Sequence, residues 1–231
     1  MDQINYRLIR SRKRIASTTI SVGPKGVIVR APFWIPDWVI KQFVSQKQDW
    51  IKKQLNKNPP HQDKSLKHGD TILFFGEELI LNIESSTSPG RPRTEIESGV
   101  LRLSVPSHFS EEVRSQAVRK ALTGLLREKG IEHITGRVNH FSQIVNVSYS
   151  KITLKNVSSL WGSCSARNNL NFNQHLLMAP PEVIDYVVVH EVSHLVHRDH
   201  SSRFWALVRS LDPDYKLHRL WLRKNQKKLS L

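Results

Sequence analysis

One five-residue motif constrains this chain more than any other feature: His190-Glu191-Val192-Ser193-His194. It lies in a run from Val183 to Val196 in which apolar residues recur at helical spacing. On a helix, residues four positions apart share one face, so the two histidines can bind one metal ion. Glu191 follows the first histidine and can reach a water molecule at that metal without being a ligand. The motif therefore predicts a helical metal site for hydrolysis.

A catalytic zinc site needs three protein ligands and one open position. The candidates for the third ligand are His197 and His200. His197 is seven residues after His190, about 10 Å of rise on a straight helix, and zinc–nitrogen bonds are only about 2 Å long. Because that arrangement is strained, we favour His200, which follows Arg198-Asp199, where the chain can turn back toward the metal.

Three motifs carry a family resemblance: Trp161-Gly162-Ser163-Cys164-Ser165, the run from Ala179 to Glu191, and the run from His200 to Trp205. In this order and spacing they resemble the YgjP-like metallopeptidase family, which is related to the SprT-like zinc proteases. The resemblance implies that zinc is bound by His190, His194 and His200 and that Glu191 is the catalytic base. One departure is Leu160, because the family usually has a basic residue there, and this departure concerns substrate contacts rather than the metal.

A small sheet is predicted directly before the motif helix, with one strand over 145–154 and a returning strand over 170–172. Zinc proteases commonly hold an extended peptide at a sheet edge near the metal. The resemblance implies this role for a substrate-binding segment formed by Trp161, Gly162, Ser163 and Cys164. The cysteine itself is expected to be a small buried residue rather than a nucleophile.

The predicted fold is α+β, with an N-terminal β-rich region over 1–106 followed by a zincin-like metallopeptidase domain over 107–231 that contains the HExxH active-site helix. In the first region we expect hairpins over 15–32 and 71–83, one helix beginning at Pro36, loops over 56–67 and 84–94, and a strand over 101–105.

After residue 106, Ser110 is expected to cap a helix and Gly130 to break it. His133 and His140 on this helix are expected at the surface. Two more helices are expected after His200, with Asp212-Pro213-Asp214 separating them.

Composition bounds the partners and the compartment. The net charge of +15, from 35 basic and 20 acidic side chains, favours weak, salt-sensitive binding of nucleic acid or nucleotides. A single cysteine allows no intrachain disulfide, which fits a reducing cytoplasm. The N-terminal residues lack the apolar core of a secretory signal, and no apolar run is long enough for a membrane span. The sequence thus predicts a cytoplasmic protein.

The leading functional hypothesis is a zinc metallopeptidase that cleaves peptide bonds of a peptide or protein substrate, with Glu191 as general base. One alternative is a metal-dependent diphosphatase of nucleoside triphosphates of the UTP type; the charge suits it, but the sequence has no phosphate-binding glycine loop, and such chemistry usually uses Mg²⁺ on carboxylates. A second alternative is a nucleic-acid-associated SprT-like protease, for which no finger, helix-turn-helix or RRM signature is present. A metzincin is disfavoured because His197 replaces its glycine and both Met1 and Met178 precede the motif.

Overall fold

The structure is a computed structural model that describes residues 4–23, 26–57, 66–88, 90–156 and 160–231. Its chain separates into two units, Met1–Lys64 and Ser65–Leu231. Strands come first and helices dominate the C-terminal half, so the predicted α+β class is confirmed. The predicted division after residue 106 lies inside the second unit, where a four-stranded sheet packs on the helix that follows it. Within the described residues, no helix is long and apolar enough to cross a membrane.

The first unit is a three-stranded sheet with two helices. Its elements are β1 (Tyr6–Ser11), β2 (Thr19–Gly23), β3 (Gly26–Pro32), α1 (Asp37–Gln46) and α2 (Gln48–Lys57). β2 and β3 form the predicted antiparallel hairpin, whose turn residues 24–25 lie outside the described residues, as does most of the predicted loop over 56–67. β1 pairs parallel to β3, which the sequence did not predict.

The prediction of one helix after Pro36 is wrong, because the helix is interrupted at Lys47. This residue has φ −100° and ψ 11°, outside the helical region. Ile40 and Val44 on α1 and Ile51 on α2 pack in one apolar cluster with β3. Burial of these side chains offsets the loss of helical continuity.

The second unit begins with a sheet in the order β4-β5-β7-β6, formed by β4 (Thr71–Phe74), β5 (Glu77–Ser86), β6 (Arg93–Glu97) and β7 (Val100–Pro106). Phe75 and Gly76 both have positive φ, 50° and 82°, as a two-residue turn that matches strand twist requires. The loop predicted over 84–94 is shorter than expected. β5 extends to Ser86, and Ser98-Gly99 form a second tight turn that pairs β6 with β7.

A 34-residue helix, α3 (Glu111–Ile144), follows this sheet. Ser110 caps it as predicted, since its side chain accepts a hydrogen bond from the Val113 N–H at 3.5 Å. Gly130 does not break it, so that prediction is wrong. A Cβ at position 130 would lie 2.8 Å from a methyl of Leu177 and 2.9 Å from one of Leu154. Gly130 therefore allows close packing on the helix, at a helix-propensity cost of about 1 kcal/mol.

The remaining elements surround the motif helix. They are β8 (Lys151–Lys155), β9 (Gly162–Cys164), β10 (Asn169–Asn173), a 3-10 helix (Gln174–Met178), α4 (Pro181–Val196), α5 (Ser202–Leu211) and α6 (Tyr215–Asn225). The sheet order is β8-β10-β9, which puts β9 at an edge. The strand predicted from 145 begins only at Lys151, because the Val145 N–H still donates to Phe141 O at the end of α3.

Helix α4 is the centre of the second unit's larger apolar cluster, where it packs against α3, α5, α6 and β9. Val188, Val189 and Val192 are fully buried. On its α3 side, Arg137 donates two hydrogen bonds to the Asp185 carboxylate, at 2.6 and 2.7 Å. The packing and this ion pair fix the orientation of α4, and with it the orientation of the motif side chains.

Candidate active site

Helix α4 places the two motif histidines one turn apart on the same face. The ring centroids of His190 and His194 are 4.9 Å apart. Phe204 of α5, fully buried, lies beneath both rings, with centroid distances of 5.0 Å to His190 and 4.5 Å to His194. Local helical periodicity thus pairs the histidines, and α5 restricts their orientation.

His200 returns to this face because the chain leaves α4 at His197 in an extended conformation, with φ −123°. The turn is anchored by Arg198, which donates to Ser165 O at 2.9 Å and lies 3.2 Å from Cys164 Sγ. As a result, Nε2 of His200 lies 3.1 Å from Nε2 of His190. Ligand atoms of His190, His194 and His200 all lie within 4.8 Å of one another.

His197, the rival third ligand, contributes its main chain instead. Its carbonyl oxygen lies 3.0 Å from Nδ1 of His194. Because a carbonyl only accepts, Nδ1 of His194 carries the proton and Nε2 is left free for a metal. Orientation of a metal-binding histidine by a carbonyl is the usual arrangement around such sites.

The donor set fits zinc. The 3.1 Å separation of the His190 and His200 nitrogens is close to the roughly 3.3 Å expected for two nitrogen ligands of tetrahedral zinc. Burial, together with the neighbouring His194 and His200, lowers the pKa of His190 to about 3. The imidazole is therefore neutral at physiological pH, as a metal ligand must be.

Glu191 is buried, with 4% of its surface exposed. Burial raises the pKa of its carboxyl to about 8, and within the described part of the chain Oε2 has no hydrogen-bond partner. A Cβ on Gly162 would lie 2.5 Å from Glu191 Oε1. The glycine of the β9 motif thus leaves the space that this carboxyl group occupies.

The structure divides the predicted substrate-binding segment. Trp161 and Gly162 line a cavity of about 930 Å³ that also borders His190 and Glu191. Ser163 and Cys164 are not among the residues that line it. Asn171 donates to Ser163 Oγ at 3.2 Å, and burial raises the pKa of the Cys164 thiol, which does not favour a thiolate nucleophile.

Sequence reasoning missed the far wall of the cavity. That wall comprises aromatic side chains and one face of α6, and its members are Tyr186, Trp205, Tyr215, Lys216, Arg219 and Arg223. The cations are spaced three and four residues apart, a pattern that indicates a shared helix face. No sequence signal indicates that this face borders the candidate metal-binding histidines.

Comparison with known proteins identifies the family. The chain matches the family described as YgjP-like, metallopeptidase domain, over residues 16–225. It therefore belongs to the YgjP-like metallopeptidases, and the resemblance predicted from the three motifs is confirmed. No curated protein matches the chain.

Two solved structures are similar over part of the chain. One is the metallopeptidase zymogen abylysin of Pyrococcus abyssi, at 20% identity and a TM-score of 0.37, covering 40% of this chain and 95% of that one. The other is the metallopeptidase zymogen jannalysin of Methanocaldococcus jannaschii, at 22% identity and a TM-score of 0.36, covering 41% and 95% respectively.

Proposed function

We propose that this metallopeptidase is a zinc enzyme that hydrolyses peptide bonds with Glu191 as general base. The observation that carries the proposal is the juxtaposition of the three histidine ligand atoms within 4.8 Å with a buried carboxyl group on the same helix. His190, His194 and His200 would hold the ion. When bound, zinc lowers the pKa of water toward neutrality and polarises the scissile carbonyl.

Glu191 transfers the proton during hydrolysis. It lies one residue after His190 on α4, so its carboxylate takes a proton from the attacking water and later gives it to the leaving amine. Its low exposure excludes bulk water from that transfer. Gly162 positions the group, since any larger residue would overlap Oε1.

The edge strand β9 is suited to hold the substrate main chain. Trp161 O and Ser165 N both bond to β10, and main-chain groups alternate in direction along an antiparallel strand. Those of Gly162 and Cys164 therefore point away from β10, toward the open edge. An extended peptide that paired there would lie beside Glu191, with affinity from main-chain hydrogen bonds.

Metal content of two variants tests the ligand assignment. His200→Ala is expected to lose the single zinc per chain, because two histidines remain. His197→Ala is the matched control and should keep it, since only the main-chain carbonyl of His197 contacts His194. Zinc loss from His197→Ala with retention in His200→Ala would overturn the assignment.

The nucleotide alternative is kept open by one observation, the three cations that line the cavity. Side-by-side assays of zinc-loaded protein on an unstructured protein and on UTP separate the two activities. We expect cleavage of the protein and no release of pyrophosphate. The reverse result would replace the peptidase proposal.

A further inference from the structure

Aromatic side chains form much of the wall of the cavity beside Glu191. Four rings line it: Trp161, Tyr186, Trp205 and Tyr215. Trp205 and Tyr215 stack with centroids 5.4 Å apart. The Trp205 ring also lies 5.8 Å from both His190 and His200. A substrate side chain next to the scissile bond would therefore enter a space with rigid, apolar walls.

One side of this cavity is positively charged. Lys216, Arg219 and Arg223, all on α6, line it, and their side chains are solvent-accessible. The guanidinium carbon of Arg219 lies 5.4 Å from the centroid of the Trp205 ring. Arg219 thus lies over the same Trp205 ring that is 5.8 Å from His190 and from His200.

The described residues around the cavity offer this charge no paired carboxylate. Among those that line the cavity, the one carboxyl group is Glu191, which the proposed mechanism uses. The nearby carboxylate of Asp212 is engaged by Nδ1 of His218 at 2.9 Å. In the described ranges, no ion pair within 4.0 Å involves the three α6 cations. By contrast, Arg137 elsewhere in this unit is fully paired with Asp185.

We propose that Arg219, assisted by Lys216 and Arg223, binds a carboxylate of the substrate, and that the enzyme therefore prefers peptides with an acidic group next to the scissile bond. The inference rests on the proposed peptidase function and deepens it. The carboxylate has two sources, an Asp or Glu side chain and a free C-terminus.

The chemistry of the site favours a carboxylate. A guanidinium presents a planar set of donors that matches a carboxylate with two parallel hydrogen bonds. Contact with the Trp205 ring holds the Arg219 side chain in place, which reduces the entropy lost on binding. The aromatic walls accommodate the methylene groups of the same substrate residue.

Matched peptides test the proposal. The peptides of the first pair have blocked termini and differ only in Glu or Gln next to the scissile bond. The peptides of the second pair differ only in a free or an amidated C-terminus. We expect kcat/KM to be roughly fivefold higher for the acidic member of at least one pair, as for a solvent-accessible ion pair. The pair that shows the difference identifies the source of the carboxylate.

Variants assign the preference to Arg219. Arg219→Gln should abolish the preference for the acidic peptide, and Arg219→Lys should retain part of it. Arg219→Glu should instead prefer a peptide with Lys in place of the Glu. Arg209→Gln is the matched control, because Arg209 is exposed on α5 and does not line the cavity. Melting temperatures confirm that each variant is folded. Equal kcat/KM for both members of both pairs in the wild type would overturn the inference while leaving the peptidase function intact.

Binding separates this inference from the proposed function. Zinc-loaded Glu191→Gln protein is titrated with the same peptides and with UTP by calorimetry. Tighter binding of the acidic peptide, lost with Arg219→Gln, supports the subsite even if no peptide is hydrolysed, in which case only the peptidase proposal fails. Binding of UTP without any preference for the acidic peptide would assign the cations to phosphate and overturn the carboxylate subsite.

Discussion

Replacement of the Glu191 carboxyl group by an amide should change how the stability of the metal-free protein depends on pH. Burial raises the pKa of this carboxyl group to about 8, from an ordinary value of 4.5. The unfolded chain releases the proton near pH 4.5, whereas the folded chain keeps it until about pH 8. The unfolded state thus binds fewer protons in this interval, so this group makes stability fall as pH rises through it and has no further effect above it.

The magnitude follows from the two pKa values. Their separation, at about 1.4 kcal/mol for each tenfold change in proton affinity, corresponds to roughly 5 kcal/mol. Glu191→Gln removes the titration while nearly preserving shape. The free energy of unfolding of the variant, relative to that of the wild type, should therefore increase by several kcal/mol as the pH rises from 4 to 9. Half-buried histidines such as His133, which the sequence predicted at the surface, and His175 have pKa values lowered by burial. They titrate in both proteins and cancel in the comparison.

Urea unfolding of EDTA-treated protein, followed by far-UV circular dichroism at several pH values, measures this difference. The zinc-loaded proteins are the control, because a cation beside the carboxylate favours its ionised form and should reduce the difference. A stability difference between variant and wild type that is the same at pH 5 and pH 9 would contradict the raised pKa of Glu191. It would mean that the carboxyl group is solvated in the folded protein.

Three glycine substitutions and one double-mutant cycle have expected outcomes. Gly162→Ala should displace the Glu191 carboxyl group and lower peptidase turnover on the order of 10²-fold with zinc content unchanged. Full activity would contradict the overlap expected of an added Cβ, which would lie 2.5 Å from Glu191 Oε1. Gly130→Ala should destabilise the protein by about 1–2 kcal/mol, because overpacking against Leu177 and Leu154 exceeds the gain in helix propensity. Gly136→Ala on the same helix meets nothing within 4 Å and should stabilise by up to about 1 kcal/mol, so equal effects in a melting experiment would contradict this account. A double-mutant cycle on Arg137 and Asp185, whose side chains are 32% and 27% exposed, should give a coupling energy of about 1 kcal/mol, and no measurable coupling would show that the pair does not fix α4.

Features written in local sequence were predictable. The α4 periodicity and the Gly76 turn each concern residues close together in the chain, and both appear in the structure. The family is confirmed by the match over residues 16–225, and the α+β class by the order of strands and helices. The structure also brings His190, His194 and His200 together, although their roles as ligands, the zinc ion, the cytoplasmic location and the weak binding of nucleic acid stay predictions.

Features that depend on distant residues were not predictable. In the sequence alone, Gly130 indicates a helix break. The structure shows instead that Leu154 and Leu177 pack against it. The break at Lys47 also has no glycine or proline to mark it in the sequence. The basic face of α6 has the composition of an ordinary solvated surface, and only the position of Arg219 beside Trp205 suggests a role in recognition.

A comparison of the wild type with Glu191→Gln tests the proposal that a zinc-dependent peptidase uses Glu191 as its base. Zinc content, melting temperature and turnover of an unstructured protein substrate are measured for the wild type and for Glu191→Gln. We predict that the wild type cleaves the substrate and that the variant keeps its zinc and its fold but loses turnover on the order of 10²–10⁴-fold. Unchanged turnover in the variant would contradict the general-base assignment, and loss of zinc would show that Glu191 is itself a ligand.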